Sequence, residues 1–142
     1  MGSYDKAYLN STIKIHEYLL HQFVSSGYSF FDLLDKYLLS EVRRQIDDGN
    51  PLALNLTPHQ LLSRIPLNGI KKSDNTNIDP FITNWMANIL VYIQWYYEIS
   101  SKEIAKKIDL KKLYGLYYPL HETALVIGAD KVYAMFWRDN ES

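Results

Sequence analysis

The chain has 142 residues, 47% of them hydrophobic, 14% aromatic and 22% charged, with a formal net charge of −1. That length points to one domain able to bury a real core, and the composition excludes a disordered tail. The near-neutral charge lacks the basic excess of a typical nucleic-acid binder, and the absence of cysteine removes disulfide and thiolate chemistry and fits a reducing cytoplasm. Twelve tyrosines are many for this length; each offers a ring to bury and a hydroxyl for a partner, which suits cores and contact surfaces alike.

The chain begins with polar residues and dispersed apolar ones, so no signal peptide is predicted. Met1-Gly2-Ser3 reads as an expression remnant, and a myristoylation signal fails at Lys6, where Ser or Thr is required. A first helix is predicted from Tyr4 to Ser25, with Leu9, Ile13, His16, Leu20 and Phe23 on one stripe and Gly27 as terminator. His16, Glu17 and His21 approximate the zinc-protease pattern with one residue too many. A five-residue interval sets the two imidazoles roughly 140° apart around the axis, so no metal site is expected and His16 reads as a core-edge histidine.

A second helix is predicted from Ser29 to Gly49, its apolar face formed by Phe30, Leu33, Leu34, Tyr37, Leu38, Val42 and Ile46. Arg43 and Arg44 stand beside Asp47 and Asp48 and read as a solvated helix end. Gly49-Asn50-Pro51 ends the helix, so residues 4–49 form a helical hairpin. Thr57-Pro58 starts a short helix over 57–65, and the polar run 66–78 reads as a mobile loop.

Asp79-Pro80 opens the central helix, 79–97, with an N-cap acceptor followed by a ring fixed at helical φ. Apolar and aromatic residues occupy nearly every face of it, which predicts burial at the centre of the domain; Asn84, Asn88 and Gln94 argue against a membrane span. Ser100-Ser101-Lys102-Glu103 reads as a capping box opening a helix to Ile108. Asp109 caps another through Tyr117, ended by Pro119, and His121-Glu122 leads into a last helix whose Leu125, Ile127, Ala129, Val132, Tyr133 and Phe136 mostly face inward. The expectation is an all-α, single-domain bundle of about six or seven helices around 79–97, with residues 79–138 as its aromatic half.

No glycine-rich phosphate loop, nucleophile elbow or metal-ligand box is present, so the expectation is a non-enzymatic protein without a cofactor. His59 and His121-Glu122 are the residual candidates for acid–base chemistry, with helix capping the competing role of the second pair. Residues 100–118 have the cadence of a helix-turn-helix. Lys102, Lys106, Lys107, Lys111 and Lys112 against Glu103 and Asp109 give a local charge of +3. Its turn lacks the usual glycine, and Leu113, Tyr114, Leu116, Tyr117 and Tyr118 on the second helix suit burial better than a DNA groove. DNA binding is therefore the alternative reading.

Three stretches, SEVRRQIDDGNP, WMANILVYIQWYYEISSKEI and LYGLYYPLHE, carry a Gln before Gly-Asn-Pro, a Trp before Gln-Trp-Tyr, and a Tyr-Pro followed by His-Glu. In order and spacing they resemble a family of small, all-helical bacterial proteins of unassigned biochemistry found beside genes for ADP-ribosyltransferase-like toxins. The resemblance implies an antitoxin or immunity role through binding a toxin-like or defence enzyme. A protein inhibitor needs aromatic anchors on a rigid scaffold; Trp95, Tyr96, Tyr97, Tyr114, Tyr117 and Tyr118, with His121 and Glu122, are the expected partner-binding residues.

Overall fold

The computed structural model describes residues 2–138, and these form one all-α domain of short helices around one long one. Helix α1 is Leu9–Val24, preceded by a 3-10 turn over Lys6–Tyr8 whose N-cap Asp5 accepts from Ala7 N. The predicted second helix is two: α2, Phe30–Leu38, and α3, Glu41–Asp47. Ser40 makes the break. It sits in extended conformation and its side chain accepts from Arg43 N, which restarts the helix in a new direction.

Asn50 and Pro51 then begin a further turn, α4, Pro51–Leu54, where a plain terminator was expected. Helix α5, Pro58–Ser63, opens with a reciprocal capping box between Thr57 and Gln60. The 66–78 segment carries no helix, but it is stitched to the hairpin. Asn75 sits at φ +53° with its side chain buried; it accepts from Phe30 N and donates to the Val24 and Tyr28 carbonyls. Asparagine tolerates this left-handed backbone better than most residues.

Helix α6, Pro80–Tyr97, is the axis, capped by the Asp79 carboxylate and ended by Glu98 in the left-handed region at φ +55°. Helix α1 lies along one side of it and α10, Leu125–Tyr133, along another. Helices α7, Ser101–Lys107, α8, Leu110–Gly115, and α9, Tyr117–Leu120, complete the circuit, and a π-helical turn, Ala134–Arg138, follows α10.

Two sequence expectations change here. Pro119 does not stop the chain's helical path, because it falls inside α9. His121-Glu122 lies in a turn, with α10 starting three residues after Glu122 behind the N-cap Ala124.

The N-terminus is part of the packing. Ser3 N donates to the Trp95 carbonyl and Gln94 Nε2 to Ser3 Oγ, so the start of the chain satisfies groups at the end of α6. Gly2 and Ser3 thus do structural work; Met1 lies outside the described residues.

Arg43 is the largest departure from expectation. Its side chain is 1% exposed, paired with Asp47 at 2.8 Å, while Arg44 alone occupies the solvated position, with Glu41 and Asp48 as its partners. Asp47 Oδ2 and Oδ1 also accept from Ser101 N and Ser101 Oγ, each at 2.7 Å, which locks α7 onto α3.

Candidate functional site

The α6 sequence repeats large side chains at Phe81, Trp85, Asn88, Tyr92 and Tyr96, spaced four, three, four and four, so they form one stripe along the helix. α1 flanks this stripe on one side, where Asn88 Nδ2 donates to Glu17 Oε2 at 2.7 Å. On the other side are α9 and α10. Trp85 meets Tyr117 edge-on at 5.9 Å, and Tyr117 in turn lies flat on the His121 ring at 4.2 Å.

Further along α6, Tyr92 and Tyr96 stack at 5.5 Å, Tyr96 meets Tyr97 edge-on, and Tyr97 stacks on Tyr133 at 3.9 Å. Tyr133 continues the ladder onto Trp137 at 4.9 Å, whose Nε1 donates to Glu103 Oε2. The ladder's upper rungs wall a groove of about 420 Å³ lined by Tyr92, Tyr96, Tyr97, Val126, Ile127, Asp130, Lys131 and Arg138.

The groove's lining mixes apolar and aromatic side chains with charged ones. Tyr97 Oη donates to Asp130 Oδ1 at 3.0 Å, and the Arg138 guanidinium lies 3.6 Å from the same oxygen and over the Tyr133 ring. Desolvation, and then the hydrogen bond to Asp130, raise the Tyr97 pKa to about 12. That phenol is a neutral donor at physiological pH. Ten large hydrophobic residues are markedly exposed among the described residues. Five of them, Phe81, Tyr96, Tyr118, Val126 and Ile127, belong to α6, α9 and α10. The other five are Tyr8 and Tyr18, just before and on α1, and Leu39, Leu52 and Leu67, which are scattered elsewhere, as single exposed apolar residues ordinarily are.

The expected binding residues divide. Tyr96 and Tyr118 are 50% and 72% exposed, and Tyr97, Tyr117 and His121 lie with them on the α6–α9–α10 side. His121 Nδ1 donates to the Tyr117 carbonyl at 2.7 Å, which fixes the ring over Tyr117. Glu122 is exposed in the turn ahead of α10. Trp95 does not face a partner: it is 6% exposed, covered by the N-terminal segment, and its Nε1 donates to the Tyr4 carbonyl at 2.7 Å. Tyr114 is committed as well. Its hydroxyl accepts from Asp79 N at 2.8 Å and donates to the Asn77 carbonyl, securing the start of α6.

Phe81 and Ile127 were not expected at the surface, and Val126 was not singled out. On α10 the inward positions are Gly128, Ala129 and Val132, and Ile127 falls on the opposite side from Ala129, two residues away. The spacing Leu125, Ala129, Val132, Phe136 carried that signal.

Lys102, Lys106, Lys107, Lys111 and Lys112 are all exposed on α7 and α8, which are joined by Ile108-Asp109. The supposed reading helix is only Leu110–Gly115, with Leu113 fully buried and Lys111 and Lys112 leaning over the Phe31 and Phe136 rings. His59 is exposed on α5. His16 is buried, with Nδ1 donating to the Thr12 carbonyl and Nε2 accepting from Tyr37 Oη at 2.6 Å. Among the described residues no group of three or more His, Cys, Asp or Glu could hold a metal, and no helix is long and apolar enough to cross a membrane.

Fold and surface together define an all-α single-domain protein with an aromatic, partly exposed side built on its axial helix. No protein-family model, curated protein or solved structure matches the chain.

Proposed function

We propose that the chain is a non-enzymatic protein-binding inhibitor of antitoxin or immunity type, which docks a toxin-like or defence enzyme against the α6–α9–α10 side. The observation that carries the reading is the concentration of exposed Phe81, Tyr96, Tyr118, Val126 and Ile127 on these three helices. Large aromatic and aliphatic side chains held on rigid helices are the usual anchors of protein interfaces. The 420 Å³ groove offers such an anchor a recess, with charged Asp130, Lys131 and Arg138 among its lining residues. The sequence resemblance is the ground for the class of partner, and the exposed side chains support the mode of binding.

The test is affinity capture from the native host with the wild-type chain and two variants. The reading expects one stoichiometric enzyme, lost with Ile127→Asp and retained with Lys106→Glu combined with Lys111→Glu. Capture that survives Ile127→Asp but fails in the lysine variant would transfer the function to α7–α8, and DNA bound by wild type but not by the lysine variant would favour the regulator.

A further inference from the structure

The 66–78 segment is pinned to the hairpin from Lys71 onward, through Ser29 N on the Lys71 carbonyl, Ser73 N on the Gly27 carbonyl and the buried Asn75 side chain. Its tip is not pinned. Leu67, Asn68 and Gly69 are exposed, and Ile70 N donates to the Leu67 carbonyl at 3.2 Å across a tight turn with Gly69 at φ +81°. Neither the Asn68 side chain nor Gly69 N takes part in a hydrogen bond among the described residues, and a Cβ added at Gly69 would meet no atom within 4 Å.

This combination bears on the chemistry of asparagine itself. The backbone nitrogen of the next residue can close a succinimide ring on the side-chain carbonyl carbon. The reaction needs that nitrogen free of hydrogen bonding, unhindered, and in a backbone able to rotate toward the side chain. Glycine meets the steric and rotational needs best. The other described candidates each fail on one count. Asn10, Asn84 and Asn88 are held in α1 and α6, Asn50 precedes Pro51, which has no N–H, and Asn55, Asn75 and Asn77 precede Leu56, Thr76 and Ile78. Asp48-Gly49 could close the same ring by losing water, but Gly49 N donates to the Ile46 carbonyl at 2.9 Å and Asp48 is paired with Arg44.

We propose that Asn68 is a self-modifying site, at which the native protein loses ammonia to form a cyclic imide and then takes up water. Hydroxide removes the Gly69 N proton, the nitrogen attacks Asn68 Cγ, and the bond from Cγ to the side-chain nitrogen breaks, that nitrogen leaving as ammonia. Water opens the imide at either carbonyl. The product at position 68 is an aspartyl residue or, by attack at the more electrophilic α-carbonyl, an isoaspartyl one. Both add a negative charge, and the isoaspartyl form also moves a methylene into the main chain. The Lys71 and Ser73 hydrogen bonds lie beyond the turn, so the fold is expected to persist.

The test incubates the full chain, native and guanidinium-unfolded, at mildly alkaline pH. Mass spectrometry follows the tryptic peptide 65–71, and an isoaspartyl methyltransferase reports the isomer. Exposed turns open at little free-energy cost, so the native rate at position 68 is expected within about tenfold of the unfolded rate, with the isoaspartyl form in excess. Asp48 is expected to isomerise in the unfolded chain and to be protected in the native one. Protection of native Asn68 by more than about tenfold overturns the proposal. So does another asparagine reacting before it, or isomerisation of native Asp48 at a matching rate.

Discussion

Removing the Asp47 carboxylate breaks the one buried ion pair among the described residues. In Asp47→Ala, Arg43 keeps its charge while its side chain stays 1% exposed, and Ser101 N and Oγ lose their acceptors. Breaking a buried ion pair from one side costs about 3–5 kcal/mol, because the surviving charge is left uncompensated. The two Ser101 donors add to this only in part, since they share the same acceptor and can turn toward water.

Against a total stability of about 5–15 kcal/mol for a domain, the loss leaves the protein marginal. Urea unfolding followed by circular dichroism gives the number, with Asp48→Ala as the control. Asp48 pairs with Arg44 at the surface, both more than half exposed, and its removal is expected to change stability by no more than about 0.5 kcal/mol. A third protein, Arg43→Met with Asp47→Leu, removes both charges and is expected to recover most of the loss. Burial raises the Asp47 pKa, while Arg43 and the Ser101 donors pull it back down, so the carboxylate's value lies in holding Arg43 and α7 rather than in free charge. A cost for Asp47→Ala below about 1 kcal/mol would refute the reasoning.

Three further outcomes are expected. Burial, and then Arg43, lower the His16 pKa from 6.5 to about 3, so its stabilisation is complete above about pH 6.5. Below that the unfolded chain takes the proton first, and stability falls by up to about 1.4 kcal/mol per pH unit toward pH 3; the urea midpoints of wild type and His16→Gln should converge on acidification, and parallel curves would contradict this. In Gly2→Ala the new Cβ would fall 2.2 Å from Trp95 Cε2, so residues 2–4 must lift and release the Trp95 indole from the Tyr4 carbonyl. The tryptophan emission should shift to the red and the indole N–H exchange faster; unchanged exchange would show the contact to be dispensable. Asn75→Gly keeps the φ of +53° accessible but removes the acceptor and both donors of the side chain, and should cost about 1–3 kcal/mol by denaturant titration; no loss would mean the loop is not held there.

Much of the fold was legible because local chemistry and packing agreed. Asp79-Pro80, Thr57-Pro58 and Asp109 each start a helix where capping rules place it. The break at Ser40 was hidden because Val42 and Ile46 continue the apolar spacing of α2, and only the serine's cap to Arg43 N reveals the change of direction. Arg43 misled for a related reason. Its i,i+4 partner Asp47 looks like a surface pair in sequence, and nothing local announces that Ser101, 54 residues on, covers it.

The exposure of the candidate binding residues was half legible. Tyrosine abundance pointed to contacts, yet Trp95 and Tyr114 serve the chain's own ends, through the Tyr4 carbonyl and Asp79 N, in pairings between distant segments. Ile127 and Phe81, which lack any polar handle, were assigned to the core by hydrophobicity alone, although the α10 spacing assigns Ile127 outward.

The central claim concerns which side of the molecule meets a partner, and site-directed photo-crosslinking in the native host addresses it most directly. A photoreactive amino acid at position 127 or 96 should yield one discrete protein adduct, and the same probe at position 106 on α7 should yield none. Adducts from position 106 alone, or none from 127 and 96 in a folded protein, would contradict the assignment of the α6–α9–α10 side as the docking surface.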